Sequence, residues 1–252
     1  MKEKKKRYYI LDIIRAITLI SMVLYHFTYD LLDHFGQIKM LDNIFLVLWQ
    51  QSICITFVFL SGFCFSLGKH PIRRGLIIFG CGCVVSLFTY FFMKNMFISF
   101  GILSFMGLAM LITTPLNLLF KKIKFNHWVG FFVFLTLFVL IKNIWRGSII
   151  FGAIEMPEVL YQNVVTAYLG FPPKGFFSAD YFPILPWICL YLSGYFAYQI
   201  AQRFDLLKYL TKFRIKPLEF IGRHTLIIYM AHQPIIYGIS YLIYYLANLG
   251  KL

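Results

Sequence analysis

Long apolar runs separated by short basic clusters set the pattern of this chain. The first run, Tyr8 to Leu31, follows the basic tail of residues 1–7, which holds Lys2, Lys4, Lys5, Lys6 and Arg7. The second, Ile44 to Leu67, ends at Lys69, Arg73 and Arg74. The third, Gly75 to Met93, turns through Lys94 and Asn95 into the fourth, Phe100 to Phe120, and Lys121, Lys122 and Lys124 lead into the fifth, Trp128 to Ile141. A polar-interrupted segment, 142–180, precedes the sixth run, Phe182 to Ala201. Residues 202–217 are amphipathic with five basic side chains, and the last run, Leu218 to Leu249, is long enough to be tilted or broken at Pro234. Run lengths near the roughly 20 residues that cross a bilayer predict an all-α, polytopic transmembrane bundle of about seven spans in a single domain, 1–252. Val159 to Phe171 is apolar but too short to cross, and predicts an extra short or re-entrant helix within 142–180.

Composition strengthens this picture. The chain is 60% apolar and 13% charged, whereas soluble domains carry about 25% charged residues. The net charge of +14 is not a nucleic-acid footprint, because its basic residues sit between the apolar runs. Outside the runs, sixteen Lys and Arg fall in the tail and alternate loops against six on the other side. That asymmetry predicts a cytoplasmic N-terminus, an external C-terminus and a plasma-membrane location. Asp12 and Arg15 make the first run a span rather than a cleavable signal. The five cysteines all lie inside apolar runs and read as packing residues. No His, Cys or carboxylate set has metal-ligand spacing on one face, so no metal is expected.

Ionisable residues within the spans carry the chemistry, since a charge in a membrane is costly unless it faces protein or a polar cavity. The first span holds Asp12, Arg15, His26 and Asp30. At 100° per residue, Arg15 and His26 return to within about 20° of each other, and both aspartates lie within roughly 60° of that line. One polar stripe therefore runs along an apolar helix, with about 16 Å of rise between Arg15 and His26. Asp12 and Arg15 are spaced for an ion pair, and Asp30 is spaced to hold the His26 ring. His232 and Gln233, just before Pro234, lie near the middle of the last span. Arg223 and His224 stand at its start. Asp180 and Trp187 flank the stiff entry to the sixth span, and His34 lies in the first outer loop.

Four blocks resemble, in order, the bacterial proteins related to heparan-α-glucosaminide N-acetyltransferase. They are LDIIRAITLISMVLYHFTYDL at the start, SFGILSFMGLAMLI from Ser99, LGFPPKGFFSADYFPILPW from Leu169 and IGRHTLIIYMAHQPI from Ile221. The first and last blocks also resemble the membrane acyltransferases that modify bacterial surface glycans. The resemblance implies transfer of an acetyl group from cytoplasmic acetyl-CoA to a sugar or glycan acceptor at the outer face. His26 stands where the lysosomal enzymes have an Asn and the glycan acyltransferases an important His. His34 is the nearest match to the lysosomal catalytic His. Ser104 stands where bacterial relatives often have a His. His26, Asp30 and His34 are thus the candidate catalytic residues. Asp12, Arg15, Arg223 and His224 are candidates for the acetyl-CoA end, and Asp180, Trp187, His232 and Gln233 for the acceptor. A lipid bilayer and a glycan are the expected partners, with a homodimer left open. The rival reading is a small-solute or proton-coupled transporter, which predicts repeat symmetry between halves. Pro234 and the Pro183/Pro186 entry do not match across halves.

Overall fold

The computed structural model describes residues 7–34 and 43–249; the side chains of Asp33 and His34 lie outside the described set. Seven helices are long and apolar enough to cross a membrane. They are α1 (Tyr9–Tyr29), α2 (Ile44–Phe63), α3 (Pro71–Phe92), α4 (Ile102–Lys122), α5 (His127–Leu140, its apolar helical run reaching Arg146), α7 (Ile184–Arg203) and α9 (Thr225–Asn248). Two short helices complete the set, α6 (Val164–Leu169) and α8 (Lys216–Arg223). The chain is an all-α, polytopic membrane protein.

Helix ends follow local chemistry more closely than run lengths do. α3 begins at Pro71, not Gly75, because a proline fits the first helical turn where its missing N–H is not needed. Arg73 and Arg74 are therefore helical residues rather than loop residues. α5 begins at His127, where the Asn126 side chain accepts from the Trp128 and Val129 N–H groups. Within 142–180 lie short turns, a two-residue hairpin pairing Ser148 with Glu155, and α6, capped by Asn163. At six residues α6 cannot cross a membrane.

The last run departs most from expectation. It does not break at Pro234, which sits inside α9. It breaks at His224, which separates α8 from α9. His224 Nδ1 donates to the Phe220 carbonyl at 2.8 Å, and Thr225 Oγ1 donates to the Gly222 carbonyl at 2.8 Å. Side-chain donors thus take up carbonyls at the end of α8.

The chain divides into two compact units, residues 1–57 with 205–252, and residues 58–204. In the second, α3 packs on α4 and α5 on α7. Small residues let the backbones close: a methyl group at Gly62 would strike the Tyr191 carbonyl, one at Gly194 the Phe59 carbonyl, and one at Gly107 the backbone of Phe79. In a bilayer, where lipid is as apolar as leucine, such close packing replaces the hydrophobic effect as the force between helices. Phe120, Phe125, Phe134, Tyr195 and Phe196 form an aromatic lattice around α7. Each well-placed aromatic pair adds about 0.5–1.5 kcal/mol beyond area burial.

In the first unit α1 packs against α8 at its N-terminal end and against α9 further along. A methyl group at Gly222 would run into the Asp12 carbonyl, while Gln233 of α9 reaches Asp30 at the other end of α1. α9 therefore runs parallel to α1. Ile17, Ile20 and Leu24 form the exposed face of α1, opposite the polar stripe.

Candidate functional site

The N-terminal end of α1 holds a charge cluster. Asp12, buried, pairs with Arg15 at 3.1 Å, as its i,i+3 spacing predicts, and also with Arg7 at 3.1 Å. Beside it, α8 presents Glu219, wholly buried, whose two oxygens take the Nε and Nη2 of Arg214 at 3.1 Å each. Arg223, one turn on, adds a longer contact at 3.4 Å. The hydrogen bonds from Arg214 hold the Glu219 carboxyl below its ordinary value against the opposing effect of burial. The charges of Arg214, Arg223 and Arg7 act in the same direction. Two buried carboxylates thus organise four guanidiniums that all remain partly exposed. Arg15 and Arg223 are in this cluster as expected. His224 spends Nδ1 on the Phe220 carbonyl and lies tilted against the Phe220 ring, centroids 4.4 Å apart. Arg7, Arg214 and Glu219 were not among the sequence candidates. The available signal was Glu219 spaced five residues from Arg214 and four from Arg223 on an amphipathic stretch.

Further along α1 the stripe meets α9. The His26 ring faces the His232 ring with centroids 5.0 Å apart, and Tyr25, in edge contact with Trp49 at 5.4 Å, borders His26. Trp49 is fixed in turn by donating to Ser21 Oγ at 2.7 Å. His232, buried, places Nδ1 2.5 Å from the Tyr229 carbonyl. A carbonyl only accepts, so Nδ1 carries the proton and Nε2 presents its lone pair. The expected contact between Asp30 and His26 does not form among the described residues. Asp30 opens the π-turn Asp30–His34 but keeps its own helical backbone bond to the His26 carbonyl, so it is the carboxylate that turns away, toward α9. Asp30 instead accepts from Gln233 Nε2 at 3.4 Å. Three buried acceptor atoms here, Asp30 Oδ2, Gln233 Oε1 and His232 Nε2, have no hydrogen-bond partner among the described residues. Unsatisfied buried polar atoms cost free energy, so their concentration in one place marks a site for a ligand that brings donors.

Asp180 and Trp187 stand in the second unit. Asp180 Oδ2 accepts from the Ile102 N–H at 3.0 Å, capping α4. Ser178 bonds Ser99, and Phe182 donates to the Phe100 carbonyl, so residues 178–182 are laced to the turn before α4. Burial raises the Asp180 carboxyl to about 6, against the opposing pull of the Ile102 bond. Trp187 is buried between Phe138 and Phe182. Both have structural partners that sequence alone did not reveal. His34 closes the π-turn, and its side chain lies outside the described residues. Ser104 is buried against Gly82, and the second imidazole near His26 comes from α9 instead. Among the described residues no His, Cys, Asp or Glu group is arranged to hold a metal ion.

No curated protein and no solved structure matches the chain. A family profile does, that of heparan-alpha-glucosaminide N-acetyltransferase, catalytic, over residues 7–234. The match begins at the arginine that pairs with Asp12 and ends one residue past the glutamine that holds Asp30, so it takes in both ends of the polar stripe. Spanning most of the chain, it settles the lineage: this protein belongs to the heparan-α-glucosaminide N-acetyltransferase catalytic family, a family of transmembrane acetyltransferases.

Proposed function

We propose that the chain moves an acetyl group from cytoplasmic acetyl-CoA to a sugar or glycan acceptor at the outer face of the plasma membrane. The N-terminus is cytoplasmic in this reading, and both units serve one acyltransferase domain. The observation that carries it is the paired His26 and His232 with three unpartnered acceptor atoms, on the same face of α1 as the arginine cluster.

The cluster suits a polyanion. Arg7, Arg15, Arg214 and Arg223 outnumber the two carboxylates that hold them, and their partly exposed N–H groups are available to phosphate. Acetyl-CoA would supply the acetyl group as an activated thioester. The arginines would hold its phosphates, and the stripe would pass its pantetheine arm over the roughly 16 Å of rise from Arg15 to His26. Asp30 and Gln233 would orient the acceptor by accepting its O–H or N–H groups. His232, its tautomer fixed by Tyr229, would take the proton from the attacking hydroxyl or amine at Nε2 and return it to the departing thiol sulfur as the C–S bond breaks. His26, beside it, donates an N–H to the carbonyl oxygen on which negative charge develops. In the same reading Asp180, Trp187 and His34 serve acceptor binding.

Purified protein in nanodiscs, given acetyl-CoA and an amino sugar or glycan, should release free thiol only when acceptor is present. His26→Ala and His232→Ala should each abolish that release while keeping acetyl-CoA affinity within about twofold. Solute uptake by proteoliposomes with no acetyl-CoA binding would overturn the reading in favour of a transporter.

A further inference from the structure

The segment between α7 and α8 is not used by acetyl transfer. Its middle, Leu206–Thr211, is a 3-10 turn that packs on α1 through buried Leu207. Around that anchor Leu206, Tyr209 and Phe213 are exposed, and Phe220 of α8 extends the apolar row. Lys208, Lys212 and Lys216 alternate with them and are also exposed. Lys208 and Lys212 flank one ring, their Nζ atoms 5.4 and 4.8 Å from the Tyr209 centroid. From 205 to 218 the one acidic residue is Asp205, paired with Lys208 at 3.0 Å. Lys212 and Lys216 have no acidic partner among the described residues.

An aqueous loop does not expose three large apolar side chains and a tyrosine within 15 residues. A protein-docking helix would present one continuous apolar face rather than aromatics interleaved with lysines. Aromatics and long cationic side chains together are the chemistry of the bilayer interface, where rings sit at headgroup depth and ammonium groups reach phosphate. Arg214, in the same stretch, lies over the ring of Tyr9, the first residue of α1, at 4.1 Å, which places the strip where that spanning helix leaves the hydrocarbon. We propose that residues 206–216 form a binding strip for anionic phospholipid headgroups, with the Lys208–Tyr209–Lys212 cradle holding the phosphate and Phe213 and Leu206 entering the acyl boundary. This proposal stands apart from the acetyl-transfer reading and survives its failure.

Native mass spectrometry of the full chain, offered equimolar phosphatidylglycerol and phosphatidylcholine in neutral detergent, tests it. Each lysine near an anionic surface is worth about fivefold in binding. Wild type should therefore retain phosphatidylglycerol at least about tenfold over phosphatidylcholine. Lys212→Gln should lower that preference severalfold, and the combined Lys208→Gln, Lys212→Gln, Lys216→Gln protein should nearly abolish it. The thermal midpoint and acetyl-CoA affinity should stay unchanged. Replacing Lys121, Lys122 and Lys124 with Gln should leave the preference intact. An undiminished preference in the triple variant overturns the proposal. So does an equal loss in the Lys121, Lys122 and Lys124 control, which would make the effect diffuse charge. A fall in acetyl-CoA affinity with lipid preference retained also overturns it, and would assign the strip to the donor.

Discussion

The two units solve the problem of packing in a membrane by opposite means. Residues 58–204 close glycines onto neighbouring backbones and fill the space around α7 with rings, so α7 is buried nearly all round. In the first unit, α1, α8 and α9 meet around carboxylates, guanidiniums and imidazoles, several of them buried. Among the described residues each unit holds buried polar atoms without a partner, but in residues 58–204 those of Arg74, Thr113 and His127 fall on three different helices. In the first unit those of Asp30, Gln233 and His232 gather where α9 meets α1. Packing of that kind costs stability, and the first unit concentrates that cost at one place while the second spreads it.

The sharpest way to break this comparison is at a glycine. Gly62→Leu would drive a side chain into the Tyr191 carbonyl. It should remove the monodisperse folded fraction seen by size-exclusion chromatography altogether, while Gly80→Leu, where a Cβ meets nothing within 4 Å, should not. Next in size is Glu219→Ala, which strips three contacts from Arg214 and Arg223. Acetyl-CoA affinity should fall about tenfold by calorimetry, the loss expected when charge-assisted hydrogen bonds no longer hold the guanidiniums. Asp30→Asn keeps the shape but halves the charge-accepting capacity beside Gln233. It should raise KM for the acceptor by about fivefold and leave kcat nearly unchanged, as for lost uniform binding. A fall in kcat alone would return Asp30 to the imidazole.

The smallest effect should be found in the scaffold and should depend on pH. The Asp180 carboxyl is raised by burial to about 6 from its ordinary 3.8. The folded state therefore binds the proton more tightly than the unfolded one, and its stability is greatest below about pH 4 and falls as pH rises to about 6. Hydrogen exchange at the Ile102 amide, corrected for intrinsic rate, should be slower at pH 4.5 than at pH 7. In Asp180→Asn that dependence should vanish.

Run lengths and basic clusters made the seven spans legible, because a bilayer imposes length and satisfied backbone on any helix that crosses it. The stripe and the Asp12–Arg15 pair were legible for the same reason: both lie within one helix, where spacing is geometry. The His26–His232 pair was not, since it joins residues 206 positions apart and depends on α9 running parallel to α1. The contact drawn between His26 and Asp30 failed because the carboxylate turns to Gln233 of α9, a partner that no spacing within α1 reveals. Pro234 misled for a different reason. A membrane helix accommodates proline when neighbours tolerate the missing bond, whereas His224 and Thr225 end α8 with side-chain bonds that no periodicity reveals. Glu219 was hidden inside an apparent span whose first residues, 218–223, proved to belong to a separate helix.

The pinning of α1 at both ends, Gly222 against Asp12 and Gln233 on Asp30, makes that helix a gauge of phase more than of length. A single residue inserted near its middle would lengthen it by only about 1.5 Å, yet turn one end against the other by about 100°. The imidazole would then swing toward the lipid now met by Ile17, Ile20 and Leu24. Four inserted residues would add about 6 Å but bring the phase back to within about 40°. Insertions and deletions in α1 are thus admissible only in whole turns, and each turn gained or lost would reset the distance between the arginine cluster and the imidazoles.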